Sequence, residues 1–100
     1  MNSVVIFDIS DNNRTEAVRQ LMVSKGYYLT WTNADGATTR TVYLPHNIVW
    51  KPNTESLQAI EDLKQAVATI NAGVMGNPIQ LLRCVVLNST PWQAIWGNAL

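Results

Sequence analysis

A chain of 100 residues has the usual size of one domain and leaves no room for a second domain with its own core. With 47% hydrophobic and 14% charged residues, it is too apolar for disorder and less charged than the ~25% of an ordinary domain. Seven basic residues balance seven acidic ones, which excludes a general pull toward nucleic acid or an anionic membrane and leaves phosphate binding to a local patch. No apolar run approaches the ~20 residues that span a bilayer, and the N-terminus lacks a basic region followed by an apolar signal segment. The expectation is a cytoplasmic protein, outside the membrane, folded as a single domain over 1–100 with a core over 3–88 and a tail over 89–100. A chain this short removes only about two-thirds of its unfolded surface on folding, so self-association helps its core and a homodimer is expected.

Val4 to Ile9 is a short β-branched run that reads as a central strand buried on both faces. From Asn13 to Lys25, Ala17, Val18, Leu21 and Met22 recur at helical spacing, with Asn13 and Glu16 in the places of a capping box and Gly26 as the stop. Tyr27–Thr32 and Thr38–Leu44 are rich in β-branched and aromatic residues, and Asp35-Gly36 between them is a hairpin signal. Pro45 interrupts strand pairing, and His46 to Pro52 follows as extended chain or an edge strand. A second helix runs from a cap at Asn53 or Thr54 to about Asn71, with Leu57, Ile60, Leu63, Val67 and Ile70 as its stripe and Gly73 closing it. Val74 to Pro78 reads as a loop, Ile79 to Leu87 as another nearly continuous apolar strand, and the rest as a tail with two tryptophans.

Strand, helix, strand, strand, helix, strand is the βαββαβ order of the ferredoxin-like α+β sandwich, an antiparallel sheet with two helices on one face and its two most apolar strands paired centrally. To this the chain adds a Trp-rich C-terminal tail. The opposite sheet face has no helix of its own, so those of Tyr27, Tyr28, Trp31 and Tyr43 that point that way are exposed in a monomer. A partner sheet solves this.

Catalytic options are few. A serine or cysteine triad needs His46, the one histidine, as base, and its place after Pro45 reads as a surface loop. Cys84 lacks a second cysteine and reads as a small buried hydrophobe. Asp8, at the end of the first strand, and Asp11, in the loop behind it, are the candidate Mg²⁺ ligands, because hard carboxylate oxygens beside a phosphate suit that ion. The structural alternative has Asp8 accepting hydrogen bonds from backbone amides and Asp11 or Asn13 capping the helix. Arg14 is the candidate phosphate contact; with Arg19 and Lys25 it otherwise reads as a solvated helix surface.

Trp31, Trp50, Trp92 and Trp96 are more tryptophan than an ordinary chain of this size carries, and tryptophan favours interfaces. Trp92 and Trp96 stand four apart, so one helical turn puts them on one side. Tyr28, Trp31, Tyr43, Trp50, Trp92 and Trp96 are the candidate interface residues, the tail packing on its own core or on a second subunit.

The stretch Val5-Ile6-Phe7-Asp8-Ile9-Ser10-Asp11-Asn12-Asn13-Arg14, continued through Val18, Leu21 and Gly26, resembles the opening of the small CRISPR-associated adaptation proteins. Those are ferredoxin-like homodimers related to the VapD-type toxin ribonucleases, with an aspartate at the end of the first strand. The resemblance covers about a quarter of the chain and implies a metal-binding or catalytic role for Asp8 and a sheet-to-sheet dimer. Beyond Gly26 the chain departs from the pattern: Tyr27-Tyr28-Leu29-Thr30-Trp31-Thr32 stands where the family carries a serine-valine-phenylalanine segment, and the long Leu44–Pro52 connection and Trp-rich tail are its own. In style it is also similar to small orphan proteins of mobile gene cassettes.

The leading expectation is a small homodimeric interaction or accessory protein with no catalysis and no cofactor. The alternatives are a Mg²⁺-dependent nuclease or toxin using Asp8, and a small-ligand binder using Trp31, Tyr43 or Trp50 on the aromatic sheet face. Nucleic acid as a partner has no support from net charge.

Overall fold

The computed structural model describes residues 2–35, 38–73 and 78–89. It is an α+β arrangement with antiparallel strands and two helices: β1 (Asn2–Ile9), a 3-10 turn (Asn12–Arg14), α1 (Thr15–Ser24), β2 (Thr30–Asp35), β3 (Thr38–Tyr43), β4 (Ile48–Lys51), α2 (Ser56–Ala72) and β5 (Leu81–Ser89). β1 is the middle strand of a three-stranded sheet in the order β4-β1-β5, while β2 and β3 form a hairpin of their own. Val5 faces Val49 on one side and Val86 on the other.

Residues alternate between faces along a strand, and in β1 the alternation is clean, with Ser3, Val5, Phe7 and Ile9 buried and the residues between them half-buried. The buried set packs against Val18 and Met22 of α1 and Ala59, Leu63, Ala66 and Val67 of α2, so both helices lie on one face of the sheet. Small Ala59 and Ala66 let α2 approach closely, and the buried stripe is thereby rotated from the expected one. Leu63 and Val67 belong to it, whereas Leu57 is 74% exposed.

Polar links pin the frame. Ser3 Oγ donates to the Thr54 carbonyl at 2.6 Å and accepts from Asn88 Nδ2 at 2.7 Å, joining β1, β5 and the approach to α2. Asn71 holds the far end of α2 to the chain entering β5, its Nδ2 donating to the Ile79 carbonyl at 2.9 Å and its Oδ1 accepting from Ile79 N at 2.8 Å. Gly26 stops the first helical segment with φ of 97°, a conformation that a side chain disfavours.

Several expectations are corrected. β1 and β5 are buried on one face only, since no described helix covers the other; Leu82, Val85 and Leu87 are about half exposed. The hairpin strands are present with the expected antiparallel pairing, Thr30 opposite Tyr43 and Asp35 opposite Thr38, but they stand outside the three-stranded sheet. The segment after Pro45 supplies β4 instead, an edge strand on β1. α1 starts at Thr15 after a 3-10 turn capped by Asp11, so the cap is Asp11 and not a box from Asn13 and Glu16. α2 begins at Ser56 without a side-chain cap, because Asn53 takes a left-handed φ of 51° and Thr54 Oγ1 donates to the Pro52 carbonyl. The Gly36 half of the expected turn, most of the Val74–Pro78 loop and the tail from Thr90 lie outside the described residues.

Candidate functional site

Asp8 is the next-to-last residue of β1, on the face away from the helices and opposite Arg83 of β5. The Arg83 guanidinium donates to Asp8 Oδ2 at 2.9 Å, across 75 residues of sequence. The carboxylate is therefore engaged by a cross-strand cation rather than by backbone amides. Asp11 serves the helix start: its Oδ1 accepts from Asn13 N at 3.0 Å and its Oδ2 stands 3.5 Å from Arg14 Nε. Among the described residues, no group of three or more His, Cys, Asp or Glu side chains is placed to hold a metal ion.

Arg19 is not the solvated side chain that its spacing suggests. It is buried beside the 44–47 loop, with its guanidinium 2.6 Å from Glu16 Oε2 and 3.3 Å from Nδ1 of the exposed His46, and its Nε has no hydrogen-bond partner. The Gln20 amide, donating at 2.8 Å, and then Arg19 hold the Glu16 carboxyl below its usual range. An i,i+3 acid–base pair is legible in the sequence; the loop that covers it is not. Lys25 reaches Gln65 of α2 at 3.2 Å. Cys84 is half-buried on the helix side of β5, and burial pushes its thiol up, away from the reactive thiolate.

The face of the sheet away from the two helices is apolar. Cross-strand partners share a face, so Val4 brings Trp50 and Leu87 with it, and Ile6 brings Ile48 and Val85. At one corner the chain enters the hairpin through Tyr28, which bridges to Trp50. The Tyr28 and Trp50 rings are 5.2 Å apart and tilted by 34°, and the Trp31 and Trp50 rings meet edge to face at 4.7 Å and 67°. Trp50 Nε1 donates to the Thr30 carbonyl at 2.7 Å, which fixes the indole. Together Tyr28, Thr30, Trp31, Thr32, Trp50 and Pro52 line an open cleft of about 420 Å³, and no charged side chain is among them.

Of the aromatic candidates, Tyr28 and Tyr43 are exposed and Trp31 and Trp50 half-buried, while Trp92 and Trp96 lie outside the described residues. Tyr27 is not on this face. It is 2% exposed and its hydroxyl donates to buried Asp62 at 2.9 Å. Sequence reasoning missed half-buried Val4 and Ile6 and exposed Val85 and Leu87 as residues of the face away from the helices, because a continuous apolar run conceals the alternation.

Fold and site together define a small α+β protein with both helices on one sheet face and, among the described residues, no helix on the other, an apolar face that ends in an aromatic cleft. Comparison with protein-family models, with curated proteins and with solved structures finds no match to this chain. Among the described residues, no helix is long and apolar enough to cross a membrane.

Proposed function

We propose that this protein is a small homodimeric interaction or accessory protein without catalysis of its own, built on a ferredoxin-like frame whose bare sheet face packs on the same face of a second copy. The observation that carries this reading is the contiguous set Val4, Ile6, Ile48, Trp50, Val85 and Leu87 on that face, with Val85 and Leu87 each 51% exposed. A contiguous apolar surface on a small domain marks an interaction site, and a twofold axis lets one patch serve as its own complement. The ferredoxin-like frame is supported by β1 lying between β4 and β5, by both helices on one face, and by Tyr28 adding a bridge outside β4.

Light scattering on the native chain and on the Val85→Glu, Leu87→Glu double variant tests it. The reading expects a dimer for the native chain and a folded monomer, by circular dichroism, for the variant. A native chain that stays monomeric at micromolar concentration overturns it.

A further inference from the structure

His46 stands in the turn that leads into β4, against buried Arg19 of α1. It is the only histidine of the chain, and histidine is the side chain that changes charge most readily near neutral pH. We infer that His46 is a proton-driven latch: neutral, it accepts a hydrogen bond from Arg19 and holds the Pro45–Ile48 turn on α1; protonated, it leaves Arg19 for the Glu16 carboxylate and frees the turn. The latch lies on the helix side of the fold and does not rest on the dimer.

The roles of donor and acceptor fix the closed state. A guanidinium only donates, so His46 Nδ1, 3.3 Å from Arg19 Nη1, is the acceptor, and the ring is neutral with its hydrogen on Nε2. Nη1 carries two hydrogens, and the other goes to Glu16 Oε2 at 2.6 Å. Arg19 is 9% exposed and its Nε already lacks a hydrogen-bond partner, so losing the His46 acceptor takes a further partner from a buried cation. The turn itself is lightly held. Ile48 N donates to the Pro45 carbonyl at 3.0 Å and closes it, and Phe7 N donates to the Asn47 carbonyl at 3.1 Å and joins it to β1, while the side chains of His46 and Asn47 are exposed.

Protonation reverses these roles. A proton on Nδ1 makes the acceptor a donor that faces a donor, and it sets two cations side by side. Glu16 is the acceptor within reach. It meets His46 at the same Arg19 nitrogen, its carboxylate only accepts, and its side chain is 50% exposed, so an imidazolium on the surface can turn onto it. Gln20 first, Arg19 next and His46 last hold the Glu16 carboxyl below its usual range, so the two groups act on one another's charge. Of the charged groups in the neighbouring elements, Arg14 and Asp11 stand by one another ahead of α1, Lys25 at its far end reaches Gln65, and Asp8 points to the opposite face with Arg83. The turn residues Pro45–Ile48 carry no charge other than that of His46. Release at His46 is therefore felt first at the Phe7 and Ile48 amides.

The test is nuclear magnetic resonance on the full chain between about pH 8 and pH 5, the range in which histidine changes charge. Expected at the upper end are ring nitrogen shifts of a bare Nδ1 and a protonated Nε2. As the ring titrates, the Arg19 and Glu16 side chains and the Pro45–Ile48 turn should shift, and the Phe7 and Ile48 amides should lose exchange protection several-fold after correction for intrinsic rates. His46→Asn, which keeps an uncharged acceptor near the Nδ1 position, should hold that protection at both ends of the range. In Glu16→Gln the imidazolium loses its acceptor, and the His46 titration should move to lower pH. A hydrogen on Nδ1 at the upper end, or a titration that leaves Arg19 and the Phe7 amide unchanged, would overturn the latch, as would equal loss of protection in His46→Asn. Should His46→Asn fail to fold, the native titration and Glu16→Gln decide, and an unmoved His46 titration in Glu16→Gln overturns the exchange of partners.

Discussion

Tyr28 and Trp50 hold each other by backbone and by ring: Tyr28 N donates to the Trp50 carbonyl at 2.7 Å, Trp50 N donates to the Tyr28 carbonyl at 3.2 Å, and their rings are 5.2 Å apart. Outside the ladders of the sheet, this bridge is where the hairpin is tied to β4. It follows that the Trp50 side chain does two jobs, building the cleft and bracing the hairpin root through Thr30.

Trp50→Ala removes both ring contacts and the bond to the Thr30 carbonyl. Because Trp50 is half-buried, the expected loss is about 2–3 kcal/mol, below the 3–5 of a fully buried aromatic. Urea unfolding measures it, and hydrogen exchange should show the amides of β2 and β3 losing protection before those of β1. Equal loss across all strands would mean that the hairpin is not separately braced by this residue.

Burial first, and Asp62 second, push the Tyr27 phenol well above its ordinary value of 10.0. A group whose folded value is raised contributes stability that is complete below the unfolded value and declines as pH rises beyond it. Stability should therefore fall above about pH 10. Tyr27→Phe should flatten that decline and, by leaving Asp62 with Gln58 as its remaining side-chain donor, cost about 1–3 kcal/mol at neutral pH. Thermal melts from pH 7 upward read both effects.

Glu16 behaves in the opposite sense. Its carboxyl is held below the ordinary 4.5 by Gln20 first and Arg19 next, so its contribution is present above that value and lost as pH falls through the lowered one. Glu16→Gln should weaken the acid limb of the stability curve below about pH 4.5. At neutral pH the cost should stay near or below about 1 kcal/mol, because the Glu16 side chain is 50% exposed and its charge is screened by solvent. An unchanged acid limb would separate Glu16 from acid unfolding.

Asp8→Asn distinguishes a cross-strand ion pair from a metal site. The pair is exposed, Arg83 at 79% and Asp8 at 39%, so its loss should cost less than about 1 kcal/mol. Titration calorimetry with Mg²⁺ should give no binding heat for the native chain. A heat that the substitution abolishes would instead move Asp8 into a metal site and revive the nuclease alternative.

Much of this protein is local and was therefore legible. Helical spacing from Ala17 to Met22 and from Leu63 to Val67 announces α1 and α2, and Gly26 and Gly73 mark where they stop. The β-branched runs announce β1 and β5, and Asp35-Gly36 announces the hairpin. What tertiary structure alone decided is which neighbour each strand takes and which side each residue shows. Whether Tyr27 or Tyr28 turns inward depends on Asp62 waiting 35 residues away. Whether Asp8 is free or engaged depends on Arg83, 75 residues away. Periodicity reports a residue's relation to its own element, whereas pairing and burial are set by long-range contacts whose closure entropy and geometry no short window contains. The apolar face away from the helices is therefore a property of the assembled sheet, built from residues that each look, in sequence, like ordinary core.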